Sequence, residues 1–153
     1  MLIVVRPHTS LLDGPAVALW LTRKRHLTHC LFAVDPDYAR HPVYSALLNS
    51  YGWLVGHHTM LPLDHRHPFA LRKMIAALRA GQHVVIFTQG VGLSEPDRPD
   101  QPGMNWLLRK ACRETPVLSL SLRHDRRWPR IAVTPSAIAD SITTNRSPMA
   151  MTR

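Results

Sequence analysis

The sequence predicts an α/β fold, a layered sheet flanked by helices. Three observations carry that reading. A helical period over residues 69–80 stops at Gly81 and is followed at once by HVVIF, a buried-strand run. The segment MNWLLRKACRE, from Met104, is a second helical pattern that delivers into the strand PVLSLSL, from Pro116. Near the start, the apolar run LIVV precedes another helical stretch. Strand and helix alternate along the chain, and the sheet can be mostly parallel or mixed.

Each element has a local reason. LIVV, residues 2–5, reads as a buried strand. SLLD, residues 10–13, has the form of a capping box, with a hydroxyl at the cap and a carboxylate three residues later. GPAVALWLTRK then continues as a helix that tolerates Pro15 in its first turn and ends in cations suited to a helix C-terminus. CLFAV, residues 30–34, is a second strand. Residues 44–54 form a short helix broken near Gly52, and MLPL, residues 60–63, is an extended segment limited by Pro62. In the helix over residues 69–80, Leu71, Met74, Ile75 and Leu78 share one face while Arg72, Lys73 and Arg79 lie elsewhere. Residues 88–103 are rich in glycine, proline and acids and read as loop. WPRIAV, residues 128–133, is a last strand at an edge. One domain is expected over residues 1–134, with a flexible tail over residues 135–153 that is rich in Ser, Thr and Pro.

The 153 residues carry 19 Lys plus Arg against 10 Asp plus Glu, a net charge of +9. Only Lys24, Lys73 and Lys110 are lysines. That balance points to an anionic partner: nucleic acid, lipid headgroup or phosphorylated ligand. Arginine favours bidentate contacts to carboxylate or phosphate. No stretch reaches the length of an apolar span, and the N-terminus does not read as a signal peptide. Cys30 and Cys112 lack any CxxC pattern and are expected to be small buried hydrophobes in a reducing compartment.

RPHTSLLDG, residues 6–14, holds the pair that can do chemistry. Five residues turn a regular helix by roughly 500°, so His8 and Asp13 would diverge by about 140° if both were helical. His8 is therefore expected in the turn before the helix and Asp13 in its first turn. There, helix amides and dipole favour a carboxylate, which can hold one ring nitrogen of His8 and fix its tautomer. The other nitrogen would face a pocket as a general base. On the plainer reading, Asp13 completes a cap with Ser10 and His8 is an ordinary turn residue.

RPHTSLLDGPAVALWL resembles the first motif of the glycerolipid acyltransferase family, which includes the PlsC-like lysophospholipid acyltransferases. His8 and Asp13 stand at the motif's His and Asp positions, Ser10 matches its small polar residue, and Pro7 replaces its asparagine. Further motifs follow in order: LPLDHR at residues 61–66, FTQG at residues 87–90 and PVLSLSL from Pro116. The likeness spans residues 3 to about 133. It implies a glycerol-3-phosphate acyltransferase-like fold. It implies transfer of a fatty acyl group from acyl-CoA or acyl carrier protein to a hydroxyl of a lysophospholipid or related acceptor. His8 would be the base and Asp13 would orient it. Asp64, Arg66, Gln89 and Gly90 would bind the acceptor. Gln89 replaces the motif's glutamate and Thr88 its proline, and no arginine closely follows Gly90, so an altered acceptor site is expected. The family usually carries an N-terminal helical segment that is not read ahead of His8, so the expectation is an acyltransferase domain that is N-terminally short or that uses another segment for that work. The resemblance also implies a bacterial, cytoplasmic protein peripheral to the inner membrane and bound to its anionic surface. Trp20, Trp53, Trp106 and Trp128 are candidates for interfacial contact, with Trp20 and Trp106 expected in the core and Trp53 at the surface.

Three other classes compete. Ten histidines invite a metal, at His57 and His58 or within DHRH, residues 64–67, but nothing fixes four tetrahedral ligands and no metal or bound cofactor is expected. The basic runs RKRH, residues 23–26, and RHDRR, residues 123–127, allow nucleic-acid binding, though no recognised nucleic-acid motif is present and no specific nucleic-acid partner is expected. Gln89 and Thr88 allow a catalytically inactive, lipid-binding relative of the acyltransferases.

Overall fold

The computed structural model describes residues 1–63, 69–90, 99–101, 103–124 and 131–136. Among these, the chain runs β1 (Leu2–Arg6), α1 (Asp13–Arg25), β2 (Leu31–Val34), α2 (Pro36–Arg40), α3 (Pro42–Gly56), β3 (Thr59–Pro62), α4 (Phe69–Arg79), β4 (Val84–Phe87), α5 (Met104–Glu114), β5 (Val117–His124) and β6 (Ile131–Ser136). One six-stranded sheet has the order β3-β2-β4-β1-β5-β6. It is mixed: β6 alone pairs antiparallel, at the edge beside β5.

The alternation of side chains along each strand builds two cores. Leu2, Val4, Val84 and Ile86 face α4 and α5, where they meet Met74, Leu78, Leu107 and Ala111. Ile3, Val5, Val85, Leu120 and Leu122 face the other way, onto Val17, Ala18 and Leu21 of α1. Tyr51 of α3 joins this second cluster. The strands therefore read as continuous apolar runs because both faces are covered.

Several expected features change in the folded chain. Gly52 does not break a helix; α3 continues through it to Gly56. A Cβ at Gly52 would stand 3.1 Å from the His58 carbonyl oxygen, so the glycine serves close packing rather than a turn. The short helix α2 was not foreseen, although its signal is local: Asp35 caps it by accepting from Asp37 N–H at 2.7 Å, and Pro36 opens its first turn. Trp106 is 47% exposed and not in the core, and Cys112 is exposed rather than buried. Cys30 is buried, and burial pushes its thiol up to about 11, which suits a packing role. Trp53 is exposed, as its sequence context suggests, while Trp128 lies outside the described residues. β6 continues through Pro135 and Ser136, paired with Leu120 and Ser119, so sheet structure runs two residues past position 134.

The connections decide where a site can form. From β1 the chain crosses over β4 to reach β2, with α1 on one face. From β4 it crosses over β1 to reach β5, with α5 on the opposite face. Neighbouring parallel strands whose crossovers leave in opposite directions open a crevice beyond their carboxyl ends. His8 follows β1 and Gln89 follows β4, both at this point.

Candidate active site

α1 begins at Asp13 with Leu12 at the cap position, and no side chain caps it. The expected capping box is met in part, in the turn just before the helix: Asp13 accepts the Ser10 N–H as the box requires, while the Ser10 hydroxyl serves Leu12 instead of Asp13. The Ser10 hydroxyl accepts from Leu12 N–H at 3.2 Å. The Asp13 carboxylate reaches back, and its Oδ2 accepts the backbone N–H groups of Thr9 and Ser10, each at 2.9 Å. The same oxygen lies 3.0 Å from Nδ1 of His8. Asp13 is fully buried, and these three contacts offset much of the cost of removing its carboxylate from water.

Holding Nδ1–H on Asp13 leaves Nε2 as the basic nitrogen of a neutral imidazole. The His8 ring also packs against Phe87 at the end of β4, with centroids 4.4 Å apart. From the same strand end, Gln89 Oε1 accepts the backbone N–H of His8 at 3.0 Å. Three independent contacts thus fix the ring and its backbone. The spacing argument placed His8 before the helix and Asp13 in its first turn, and the structure brings the two together there.

The turn after β4 has its own supports. Thr88 is buried, and its Oγ1 accepts from Arg6 Nε at 2.8 Å. Arg6 also pairs with Asp100. Gln101 donates its backbone N–H to the Thr88 carbonyl at 2.8 Å and its side-chain amide to the Gln89 carbonyl at 3.2 Å. Gly90 has φ +67, and a Cβ there would meet the Gln101 side chain at 2.7 Å. A glycine is needed for both reasons. Arg6, Asp100 and Gln101 were not singled out in the sequence, because their partners lie far along the chain.

A cavity of about 350 Å³ opens beside His8. Leu11 and Leu12 of the β1–α1 turn, Val34 at the end of β2, Tyr44, Leu47 and Leu48 of α3, and Phe87 line it, with Gly90 at its edge. The lining is overwhelmingly apolar, and the size falls in the usual range for small-molecule sites. Gly90 therefore sits at the cavity. Gln89 is buried with its oxygen turned onto His8, and Asp64 and Arg66 lie outside the described residues.

One residue of the site was read only as part of a basic run. His124, at the end of β5, places Nε2 3.0 Å from Oδ1 of Asp13. The distance is that of an ion pair, while the angle falls outside hydrogen-bond geometry. The period-two pattern of Leu120 and Leu122 was the available signal, since it puts His124 on the face that carries α1.

His57 and His58 do not share a site. His57 stacks on His29 and meets the edge of Trp53, whereas His58 is buried against Phe32. His58 Nδ1 accepts from Cys30 N–H at 3.2 Å, and Nε2 lies 2.9 Å from the Thr22 hydroxyl. Among the described residues no group of three or more His, Cys, Asp or Glu side chains is arranged to hold a metal ion; DHRH lies outside them. No protein-family model, curated protein or solved structure matches this chain.

Proposed function

We propose that the chain transfers a fatty acyl group from an acyl thioester, on coenzyme A or a carrier protein, to a hydroxyl of a lysophospholipid or related acceptor. The observation that carries this reading is the His8–Asp13 pair at the edge of an apolar cavity. The glycerol-3-phosphate acyltransferase-like fold belongs to the same proposal. Its support is the ordered set of motifs together with a site at the crevice between β1 and β4.

In this mechanism His8 Nε2 takes the proton of the acceptor hydroxyl as its oxygen attacks the thioester carbonyl. The carbon–oxygen bond forms and the carbonyl becomes a tetrahedral oxyanion. Collapse breaks the carbon–sulfur bond, and the leaving thiolate takes the proton back from His8. Asp13 stabilises the transient imidazolium and keeps its tautomer. The leucines of the cavity would hold the acyl chain.

The proposal also puts the chain against an anionic membrane surface, at the inner face of a bacterial membrane. Among the described residues no helix is long and apolar enough to cross a bilayer. Contact would fall to α3, which contains no Asp, Glu, Lys or Arg and exposes Leu47 and Leu54. Leu47 and Tyr44 belong both to that exposed face and to the cavity lining. A lipid chain would thus have an apolar path from bilayer to site.

Acyl transfer from a pool of thioester donors to a panel of hydroxylated acceptors, followed by mass spectrometry, tests the reading. Product that disappears in His8→Ala, with the fold retained, supports it and names the acceptor. Retention of a lipid without turnover of any thioester would replace it with a non-catalytic lipid carrier.

A further inference from the structure

The two oxygens of Asp13 are unequally served. Oδ2 has His8 Nδ1 and the N–H groups of Thr9 and Ser10 within 3.0 Å. Oδ1 is buried and has no hydrogen-bond partner among the described residues; Nε2 of His124 lies 3.0 Å from it, at ion-pair distance. The fold explains the approach. β5 runs parallel to β1 and pairs Ser121 with Arg6, so it continues past the end of β1 toward the start of α1. Leu120 and Leu122 pack in the α1 cluster, and His124 is the next side chain on that face. Asp13 is the first residue of α1 and meets it there.

We propose that His124 is a positioning residue that holds Asp13 from the side opposite His8. A buried carboxylate oxygen left without a partner costs free energy that rotation or protonation of the group would relieve. Either response weakens the hold of Oδ2 on His8 Nδ1. The imidazole nitrogen of His124, at ion-pair distance from Oδ1, opposes both, so the tautomer of His8 depends on a residue outside the cavity lining. The arrangement is His8–Asp13–His124, a carboxylate between two imidazoles. Its consequence for turnover rests on the acyl-transfer reading; its consequence for His8 does not.

The test is therefore spectroscopic first. Ring-nitrogen NMR shifts of His8, assigned by their loss in His8→Gln, report the balance of Nδ1–H and Nε2–H tautomers in the neutral state. They would be compared in the intact chain, His124→Phe, His124→Ala and His124→Gln. Phenylalanine keeps the ring shape without a donor. Glutamine places an amide N–H within reach of Oδ1. The proposal expects His8 to lose its Nδ1–H preference in the phenylalanine and alanine variants and regain it in the glutamine variant. Circular dichroism selects the variants that fold, and alanine serves if phenylalanine does not. Unchanged His8 shifts in the donor-free variants would overturn the proposal. Equal disturbance in all three variants would also overturn it, since that marks packing rather than a polar hold. Where acyl transfer is measurable, loss of the donor should lower kcat on the order of tenfold, less than the ~10²–10⁴-fold contribution of proton transfer itself. KM should be unchanged. Absence of any transfer in the intact chain would count against the acyl-transfer reading and leave the NMR comparison to decide the role of His124.

Discussion

Gln89 Oε1 accepts the backbone N–H of His8 at 3.0 Å, so the end of β4 determines where the β1–α1 turn presents its imidazole. Gln89 is buried, and the bond joins two segments 81 residues apart. Gln89→Met keeps the side-chain length and removes the acceptor. It should leave the part-buried His8 N–H without its acceptor, beside an apolar cavity, and destabilise the chain by ~1–3 kcal/mol. A lower urea midpoint at unchanged slope would show this. An unaltered midpoint would mean that the contact contributes nothing to stability.

Asp13→Asn tests the dyad without changing its shape. The asparagine oxygen can still accept from Thr9 and Ser10, the two N–H groups that Asp13 now satisfies. What it cannot supply is the negative charge beside an imidazolium. Acyl transfer should fall by on the order of 10²–10⁴-fold while the far-ultraviolet circular dichroism stays native. A much smaller loss would argue that His8 works without its carboxylate.

These two residues differ in how far the sequence exposes them. The His8–Asp13 relation was legible because it is local: five residues cannot span a helix turn on one face, so a turn followed by a helix start was required. The alternation that built β1, β4 and β5, and the period that built α4, were legible for the same reason. The acceptor role of Gln89, the Arg6–Thr88 contact and the approach of His124 depend on strand order. That order is set by which faces the crossovers cover, and no local pattern encodes it. Gly52 misled because a helix-breaking tendency of about 1 kcal/mol is small beside the packing that a missing side chain permits. His57 and His58 invite a metal only by being adjacent in sequence; at the left-handed end of α3 the two consecutive residues face different surroundings.

His58 should make the fold sensitive to acid. Burial is the largest influence on its imidazole and holds it below the usual value of 6.5, against a smaller opposing contact from the Ala18 backbone. The unfolded chain then binds a proton at a pH where the folded chain does not. The stability contributed by the neutral ring is fully present above 6.5 and is lost as pH falls below that value. Burial lowers His83 in the same direction. The urea midpoint should therefore drop between about pH 7 and about pH 5. His58→Asn keeps an acceptor for Cys30 N–H and does not titrate, so its drop should be shallower, with the share of His83 remaining. Parallel curves for the two proteins would exclude His58 as a source.

Two glycines should respond oppositely to alanine. A Cβ at Gly56 would stand 2.5 Å from the Thr22 hydroxyl and 2.7 Å from His58 Nε2, atoms that themselves lie 2.9 Å apart. Gly56→Ala should force them aside and cost about 1–3 kcal/mol. A Cβ at Gly14 meets nothing within 4 Å, and Gly14 lies in the first turn of α1. Gly14→Ala should gain up to about 1 kcal/mol from helix propensity alone. Urea midpoints of both variants read the contrast directly.

The exposed face of α3 gives the membrane proposal its sharpest test. Leu47 and Leu54 are 62% and 77% exposed and lie seven residues apart, two turns along one side of the helix. Trp53, 64% exposed, stands next to this stripe and serves as a reporter. Leu47→Glu with Leu54→Glu puts two carboxylates where acyl chains would otherwise lie and repels anionic headgroups. Because both side chains face solvent in the free chain, the double variant should unfold at nearly the same temperature as the parent. Co-sedimentation with phosphatidylglycerol vesicles should fall at least about tenfold, the effect of 1.4 kcal/mol, a modest share of two buried leucines. The vesicle-induced blue shift of tryptophan fluorescence, taken as the part that a Trp53→Phe variant loses, should vanish with it. Equal sedimentation of parent and variant would move the contact away from α3. A parent that ignores vesicles but forms dimers that the variant abolishes would show that α3 is covered by a second copy of the chain instead of by lipid.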